Sequence, residues 1–260
     1  MTLFSAIIIA IVEGLTEFLP ISSTGHMILT SAALGLDAND EFLKTFEISI
    51  QLGAILAITL MYIKRFFRGL DIYKKLIVAF LPTGVIGFLA YDFIKAYLFS
   101  PLVVSISLIL GGAILIVIDK HVTSKASKVE EVENISIKNA LFIGLIQSIS
   151  MIPGVSRAGA TIVGGVFNGF NKKQATEFSF LLAVPTMLAA TGYDLIKTPL
   201  DFTAEQITML ITGLITAFIF AWLAVKVFLA IVNRYGFSYF GWYRIAVGIV
   251  FLILIVKNLI

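Results

Sequence analysis

The sequence predicts an all-α polytopic membrane protein: about six transmembrane helices plus two re-entrant helix pairs, arranged as an inverted-topology repeat. Three observations predict it. Of the 260 residues, 59% are hydrophobic and only 13% charged, with mean hydropathy +1.01; a soluble domain carries about 25% charge. The apolar runs lack period-2 alternation and exceed strand length, so they are helices. The chain also repeats its own polar interruptions. So little charge cannot cover a compact globule with polar surface, which excludes a soluble enzyme, a disordered chain and a nucleic-acid binder. The net charge of +3 and pI of 9.0 are those of a membrane protein with basic cytoplasmic loops, and no nucleic-acid partner is expected. The lipid bilayer is the expected environment.

Taken in order, the apolar stretches are 3–12, about 48–63, 76–98, 102–118, 139–152, 178–196, 207–232 and 242–256. Most approach the roughly 20 residues that cross a bilayer. The first and the fifth are short, and each runs into a Pro/Gly/Ser/Thr-rich segment. Such helices enter the membrane, break and turn back, which is tolerable only where protein buries the broken backbone or water reaches it. The start MTLFSAIIIAIVEG lacks a basic leader and reads as mature protein, not as a signal peptide.

Lys64, Arg65, Arg68, Lys74 and Lys75 crowd one loop with Asp71 as its only acid, and this loop is expected in the cytoplasm. Counting crossings puts Lys120, Lys125, Lys128 and Lys138, with Glu130, Glu131 and Glu133, on the same side. Lys172, Lys173 and Arg234 follow them. The 31–46 segment with Asp37, Asp40 and Glu41, residues 197–206 and both termini fall outside; Lys257 lies on the wrong side for this scheme. Without cysteine there are no disulfides, thiolate nucleophiles or Cys-bound metals, and His26 and His121 alone leave little for a His-based metal site.

AIVEGLTEFLPISSTGH (10–26) aligns with GLIQSISMIPGVSRAGA (144–160): Glu13 with Gln147, Ser22 with Ser156 and Gly25 with Gly159, at one constant offset. EISIQLGAI from Glu47 then aligns with EFSFLLAVP from Glu177 at a slightly shorter one. The expected organisation is a single membrane domain over 1–260, with a first repeat over 1–119, a cytoplasmic linker over 120–138 and a second, inverted repeat over 139–260. Each copy crosses an odd number of times, so the second lies upside down, an architecture of transporters.

Charge inside a membrane is costly and points to function. Glu13 and Glu17 lie one helical turn apart on one side; two carboxylates so placed share a proton, bind a divalent cation or pair with arginine. PISSTGH then brings Ser22, Ser23, Thr24, Gly25 and His26. Pro20 breaks the helix, Gly25 permits an unusual turn, the hydroxyls can bind an oxyanion or act as nucleophile, and His26 is the local base. The same hydroxyls can also cap the next helix. PGVSRAGAT brings Ser156, Arg157 and Thr161; Arg157 suits phosphate, or neutralises Glu13 or Glu17. Two acids, an arginine, a histidine and several hydroxyls form a phosphoryl-transfer set. Glu47 and Glu177 are expected at helix caps or lining the cavity. Gln51 and Asp92 are expected between helices, His121 in solvent, and Trp222, Tyr239, Trp242 and Tyr243 at the membrane interface.

EGLTEFLPISSTGH and PGVSRAGAT resemble the signature motifs of the undecaprenyl-pyrophosphate phosphatase family, the bacitracin-resistance type of bacterial inner membranes, and the resemblance spans the chain. It implies removal of the terminal phosphate from the C55 isoprenyl diphosphate, which regenerates the lipid carrier for peptidoglycan synthesis, at a site facing the periplasm of the inner (cytoplasmic) membrane. By position it implies Ser23 as nucleophile, His26 assisting proton transfer, and Arg157 holding the diphosphate with Ser22, Thr24, Gly25, Ser156 and Thr161. Glu13 and Glu17 would bind a divalent cation (Mg or Ca) or tune His26. Attack by water stays open, as do a homodimer and a lipid-phosphate transporter or flippase using the same cavity. Ala158 stands where members often have serine, which removes one phosphate contact.

Overall fold

The computed structural model describes residues 1–67, 69–98, 100–122, 131–197 and 201–257. Expectations that rest on Arg68, Lys125, Lys128 and Glu130, and on the side chains of Asp92 and His121, fall outside the described residues. The described residues fold as helices α1 (Leu3–Thr16), α2 (Ser23–Ala33), α3 (Glu41–Met61), α4 (Ile63–Phe66), α5 (Asp71–Tyr97), α6 (Pro101–Val122), α7 (Ile137–Ser148), α8 (Arg157–Phe167), α9 (Lys172–Lys197), α10 (Ala204–Tyr235) and α11 (Ser238–Val256). Short 3₁₀ turns lie at Val132–Asn134 and Ile149–Met151. Six of these helices, α3, α5, α6, α9, α10 and α11, are long and apolar enough to cross a membrane, as the hydropathy pattern predicts. The chain is therefore an all-α polytopic membrane protein. The short helices α1 and α7 each stop where expected and turn into α2 and α8.

Two helices start well before their apolar runs. α3 begins at Glu41 because Asp40 accepts the Phe42 and Leu43 amides, a side-chain cap that satisfies orphan donors of the first turn. α9 begins at Lys172. Glu47 and Glu177 thus lie inside helices, and neither is a cap. Glu47 accepts from the Ser31 hydroxyl at 2.9 Å; Glu177 pairs with Arg65 at 2.6 Å. Arg65 also reaches Glu133 at 2.9 Å, and Lys75 donates to the Glu133 carbonyl. One charge of the basic loop is therefore anchored against α9 and the turn before α7.

Part of the packing pattern is symmetric between the stretches that the sequence repeat aligns, while the α8–α9 and α1–α3 contacts have no counterpart of similar extent. Exchanging α1, α2, α3, α5 and α6 for α7, α8, α9, α10 and α11 maps the α1–α10 contact onto α7–α5, α3–α10 onto α9–α5 and α1–α2 onto α7–α8. The same exchange maps the pairs α6–α11 and α3–α9 onto themselves. Small residues permit these approaches, as expected between membrane helices. At Gly144 in α7, a Cβ would lie 2.1 Å from the Ala79 carbonyl oxygen of α5. The core between the halves is aromatic: Phe18 meets Phe180 edge-on at 5.7 Å, and Phe180 meets Phe228 at 6.0 Å.

At the centre of the α6–α11 pair, Arg244 is 1% exposed. Its Nη1 donates to Pro20 O and Val155 O, both at 2.9 Å, and its Nη2 to Gly154 O at 2.8 Å and Ser107 O at 3.0 Å. Its Nε donates to Leu108 O at 3.3 Å. One guanidinium thus holds the breaks of both hairpins against α6. Gly111 makes room: a Cβ there would stand 2.1 Å from Arg244 Nη2. Carbonyls freed by a broken helix in a membrane need a donor. We expect Arg244→Met to destabilise the protein by about 3–5 kcal/mol, since buried partners of a charge are left uncompensated. Thermal unfolding in detergent measures this; an unchanged midpoint would show that the clamp is dispensable.

Candidate active site

Each hairpin reverses through a serine in the left-handed region: Ser22 at φ 69° and Ser156 at φ 74°, the two non-glycine residues with positive φ among those described. They are equivalent positions of the two repeats. A non-glycine residue held there is strained, and such strain persists only where surrounding structure enforces it. The residue after each turn opens a helix: Ser23 opens α2 and Arg157 opens α8. The same geometry thus aims Ser23 from one half and Arg157 from the other.

Both point at Glu17. The Ser23 hydroxyl donates to Glu17 Oε2 at 2.5 Å, and Arg157 Nη2 donates to Glu17 Oε1 at 2.9 Å. Arg157 is 11% exposed. Its Nη1 donates to the Ser179 carbonyl at 3.2 Å, its Nη2 also contacts Met187 Sδ at 3.0 Å, and the guanidinium lies over the Phe18 ring. Its Nε–H is buried and finds no acceptor among the described residues. One turn back on α1, Glu13 is fully enclosed and neither carboxyl oxygen finds a donor there. Of the open alternatives for the acid pair, the arginine engages Glu17, while the Glu13 carboxyl lies within hydrogen-bond reach of Glu17, as a shared proton requires.

His26 does not bond to Ser23. Its Nδ1 meets Ser22 O at 2.8 Å and its Nε2 meets the Tyr243 hydroxyl at 2.7 Å; the two rings stack at 5.5 Å. The Ser23 hydroxyl thus donates to a carboxylate, and the imidazole links the first turn to α11. Thr161 is enclosed, its hydroxyl committed to Arg157 O, Ala158 O and Ser179 Oγ, so it fixes α8 instead of meeting a ligand directly. Ser156 Oγ accepts the Gly159 amide at 3.1 Å as an N-cap. Ser22 makes no side-chain cap bond. Gly25 packs toward Val104 and Leu108 of α6, and Thr24 is partly exposed.

Residues outside the two motifs complete the picture. Tyr243, read from sequence as an interfacial anchor, is the partner of His26. Arg244 was not among the candidates; the signal that marks it is a lone arginine inside an apolar helix, GWYRIAVGIV. Gln51 lies between helices as expected, accepting from Thr191 at 3.5 Å. Trp242 and Tyr239 are exposed, as anchors would be. Gln147, the counterpart of Glu13, donates to Thr83 at 2.9 Å and Thr186 at 3.3 Å. Among the described residues no three His, Cys, Asp or Glu side chains cluster to hold a metal; the available hard-oxygen pair is Glu13 with Glu17.

A polytopic helical membrane protein whose two broken hairpins bring a hydroxyl, a carboxylate pair and an arginine together defines an intramembrane site for an anionic group. The chain belongs to the family described as bacitracin resistance protein BacA, whose model matches residues 6–250. It is 54% identical to an undecaprenyl-diphosphatase of Wolinella succinogenes over 97% of this chain and 98% of the relative. It is 51% identical to one of Persephonella marina over 98% and 100%, and 52% identical to one of Aquifex aeolicus over 96% and 98%.

The strained turns lend themselves to a direct measurement. Ser156→Ala loses the cap to Gly159 and should cost about 1 kcal/mol. Ser156→Gly loses the same bond but accepts positive φ without penalty, so it should unfold at a higher temperature than Ser156→Ala. The reverse order would contradict the strain at this position.

Proposed function

We propose that this protein hydrolyses undecaprenyl diphosphate to undecaprenyl phosphate and orthophosphate, which recycles the lipid carrier of peptidoglycan synthesis and confers bacitracin resistance. The single observation that supports it most is the Ser23–Glu17–Arg157 contact. A hydroxyl is aimed at a carboxylate that can take its proton, beside a guanidinium that keeps an Nε–H in reserve for a phosphate oxygen. The names of the relatives point to phosphatase chemistry and not to transport.

Arg157 binds the terminal phosphate and spreads the charge that develops in phosphoryl transfer. Ser23 Oγ attacks the terminal phosphorus, Glu17 receives the hydroxyl proton, and the anhydride P–O bond breaks with its electron pair leaving on the lipid phosphate. Water then cleaves the phosphoserine. In the alternative course water attacks directly and Ser23 orients it. Carboxylate oxygens suit Mg or Ca, and a cation bound by few protein groups completes its shell with substrate phosphate and water. Glu13 and Glu17 would hold such a cation, which would neutralise phosphate charge. Ser22, Thr24, Gly25, Ser156 and Thr161 shape the pocket through the two turns, and His26 braces the first.

The halves form an inverted repeat joined by the 120–138 linker, in the inner membrane of a bacterium, with the α1–α2 turn reached from the periplasm. All groups come from one chain, so the reaction needs neither nucleic acid nor a second copy; a homodimer would be a matter of assembly alone, read by light scattering in detergent. Cysteine placed at position 38 should label from the periplasm and at position 70 from the cytoplasm; the opposite pattern refutes this orientation.

Purified protein in detergent should release orthophosphate from C55 or C15 diphosphate. Arg157→Ala and Glu17→Ala should each lower kcat about a hundredfold or more, and chelator should lower it until Mg or Ca is restored. Absent release, or release unchanged in both variants, refutes the enzyme reading. Acid-quenched protein that carries phosphate lost in Ser23→Ala identifies the covalent route; turnover without it identifies direct attack by water.

A further inference from the structure

The two strained turns occupy equivalent positions but are held in different ways. In the second repeat Ser156 secures its own turn. Its Oγ accepts the Gly159 amide at 3.1 Å and donates to the Leu19 carbonyl at 3.5 Å, and its carbonyl accepts the Ala160 amide at 2.9 Å. In the first repeat Ser22 makes no side-chain cap bond, and its carbonyl accepts the His26 amide at a longer 3.3 Å. A ring stands in for the missing cap. His26 occupies the position aligned with Ala160, and its Nδ1 lies 2.8 Å from that same Ser22 carbonyl.

Hydrogen-bond chemistry decides where this ring carries its hydrogen. A carbonyl oxygen only accepts, so the hydrogen of the Ser22 bond sits on Nδ1. In the neutral imidazole Nε2 then presents a lone pair. The Tyr243 hydroxyl, 2.7 Å away, is the donor to that lone pair. Both ring nitrogens are thereby committed, and neither is turned to Ser23, whose hydroxyl donates to Glu17. Tyr243 is followed in α11 by Arg244, which donates to the Pro20 carbonyl at 2.9 Å. One dipeptide of α11 thus holds the chain on both sides of Ile21: directly at Pro20, and through His26 at Ser22.

We propose that Tyr243 is a positioning residue of the phosphatase reaction: by donating to His26 it holds the imidazole as the Nδ1–H tautomer against Ser22, and so fixes the turn that aims Ser23. This rests on the proposed phosphatase function. A ring that replaces the cap also leaves the Ser22 hydroxyl without a partner among the described residues, beside the nucleophile, where it can donate to a phosphate oxygen. Its counterpart Ser156 has both its oxygen and its hydrogen committed. Tyr243 does not meet the reacting phosphate. It acts through His26, and His26 acts as a hydrogen-bond donor to the turn and not as the base.

The protein itself contains the substitute that separates donor from base. Asn168 donates its side-chain amide to the carbonyl four residues back, Gly164, at 2.8 Å, the relation that His26 has to Ser22. His26→Asn therefore keeps a donor and removes the titratable ring. In the full-length protein in detergent, with C15 diphosphate as substrate, His26→Ala should lower kcat about a hundredfold through misplacement of Ser23, and His26→Asn should recover most of that loss. Tyr243→Phe should lower kcat roughly tenfold with KM unchanged, and should add no loss in the His26→Asn background, where Nε2 is gone. Nitrogen-15 NMR of histidine-labelled protein at mildly alkaline pH reads the tautomer without substrate. The chain has two histidines, so the signals lost in His26→Asn are those of His26, and they should show hydrogen on Nδ1 alone. If the wild type releases no orthophosphate, the phosphatase reading fails, and the tautomer still judges the brace. Four results would each overturn the proposal: hydrogen on Nε2 in the wild type, His26→Asn as inactive as His26→Ala, an unchanged kcat in Tyr243→Phe, or a Tyr243→Phe loss that is as large in His26→Asn as in the wild type.

Discussion

The arrangement depends on a single guanidinium. Breaking two helices inside a membrane frees carbonyls that lipid cannot satisfy, and each such group costs several kcal/mol. Arg244 answers for both breaks at once, with Pro20 O on one side and Val155 O and Gly154 O on the other. Its remaining donors go to Ser107 O and Leu108 O of α6. The charge is accepted by carbonyl dipoles, and among the described residues no carboxylate pairs with it, which keeps the acids of the site available for Arg157. Because one planar group fixes both turns, the distance between Ser23 and Arg157 follows from rigid geometry, as a preorganised site requires.

Given that frame, the chemistry comes from breaking the symmetry of the repeat. The two strained serines are equivalent, and so are the residues that follow them. One is Ser23 and the other Arg157, so equivalent backbone geometry delivers a hydroxyl and a cation to the same carboxylate. Glu17 itself has Met151 at the equivalent position of the second repeat. A symmetric pair of glutamates would leave two buried charges uncompensated. A symmetric pair of arginines would leave no acceptor for the serine proton. The asymmetric set closes the charge balance at Glu17 and Arg157 and leaves the Arg157 Nε–H without an acceptor among the described residues, which suits a site that awaits a phosphate.

Much of this was legible in the sequence. The six crossing helices follow from hydropathy because a membrane helix must carry its own apolar surface. The two hairpins follow from Pro20, Pro153 and Gly154 beside hydroxyl residues. The pairing of Glu17 with Arg157 was among the open alternatives because intramembrane charge demands a partner. Helix starts were less legible: Glu41–Glu47 and Lys172–Glu177 read as polar loop, since helix formation there is set by the Asp40 cap and by side-chain partners on distant helices. Tyr243 and Arg244 were hidden for a related reason. Their role is to reach across from α11 to turns 89 or more residues away, and no local pattern encodes a contact of that kind. His26 is not bonded to Ser23 in the structure, although residues three apart on a helix are neighbours, because the Ser22 carbonyl and the Tyr243 hydroxyl hold its two ring nitrogens.

The glutamates Glu47 and Glu177 carry the same inequality away from the site. They stand at aligned positions inside α3 and α9, yet Glu177 pairs with Arg65 at 2.6 Å while Glu47 accepts from the Ser31 hydroxyl at 2.9 Å. An unpaired carboxylate in a low-dielectric setting is the costlier state, so the second half gains from Arg65 what the first half, among the described residues, does without. Aligned backbone positions therefore fix where a carboxylate stands, and the partners that distant helices supply fix whether its charge is balanced.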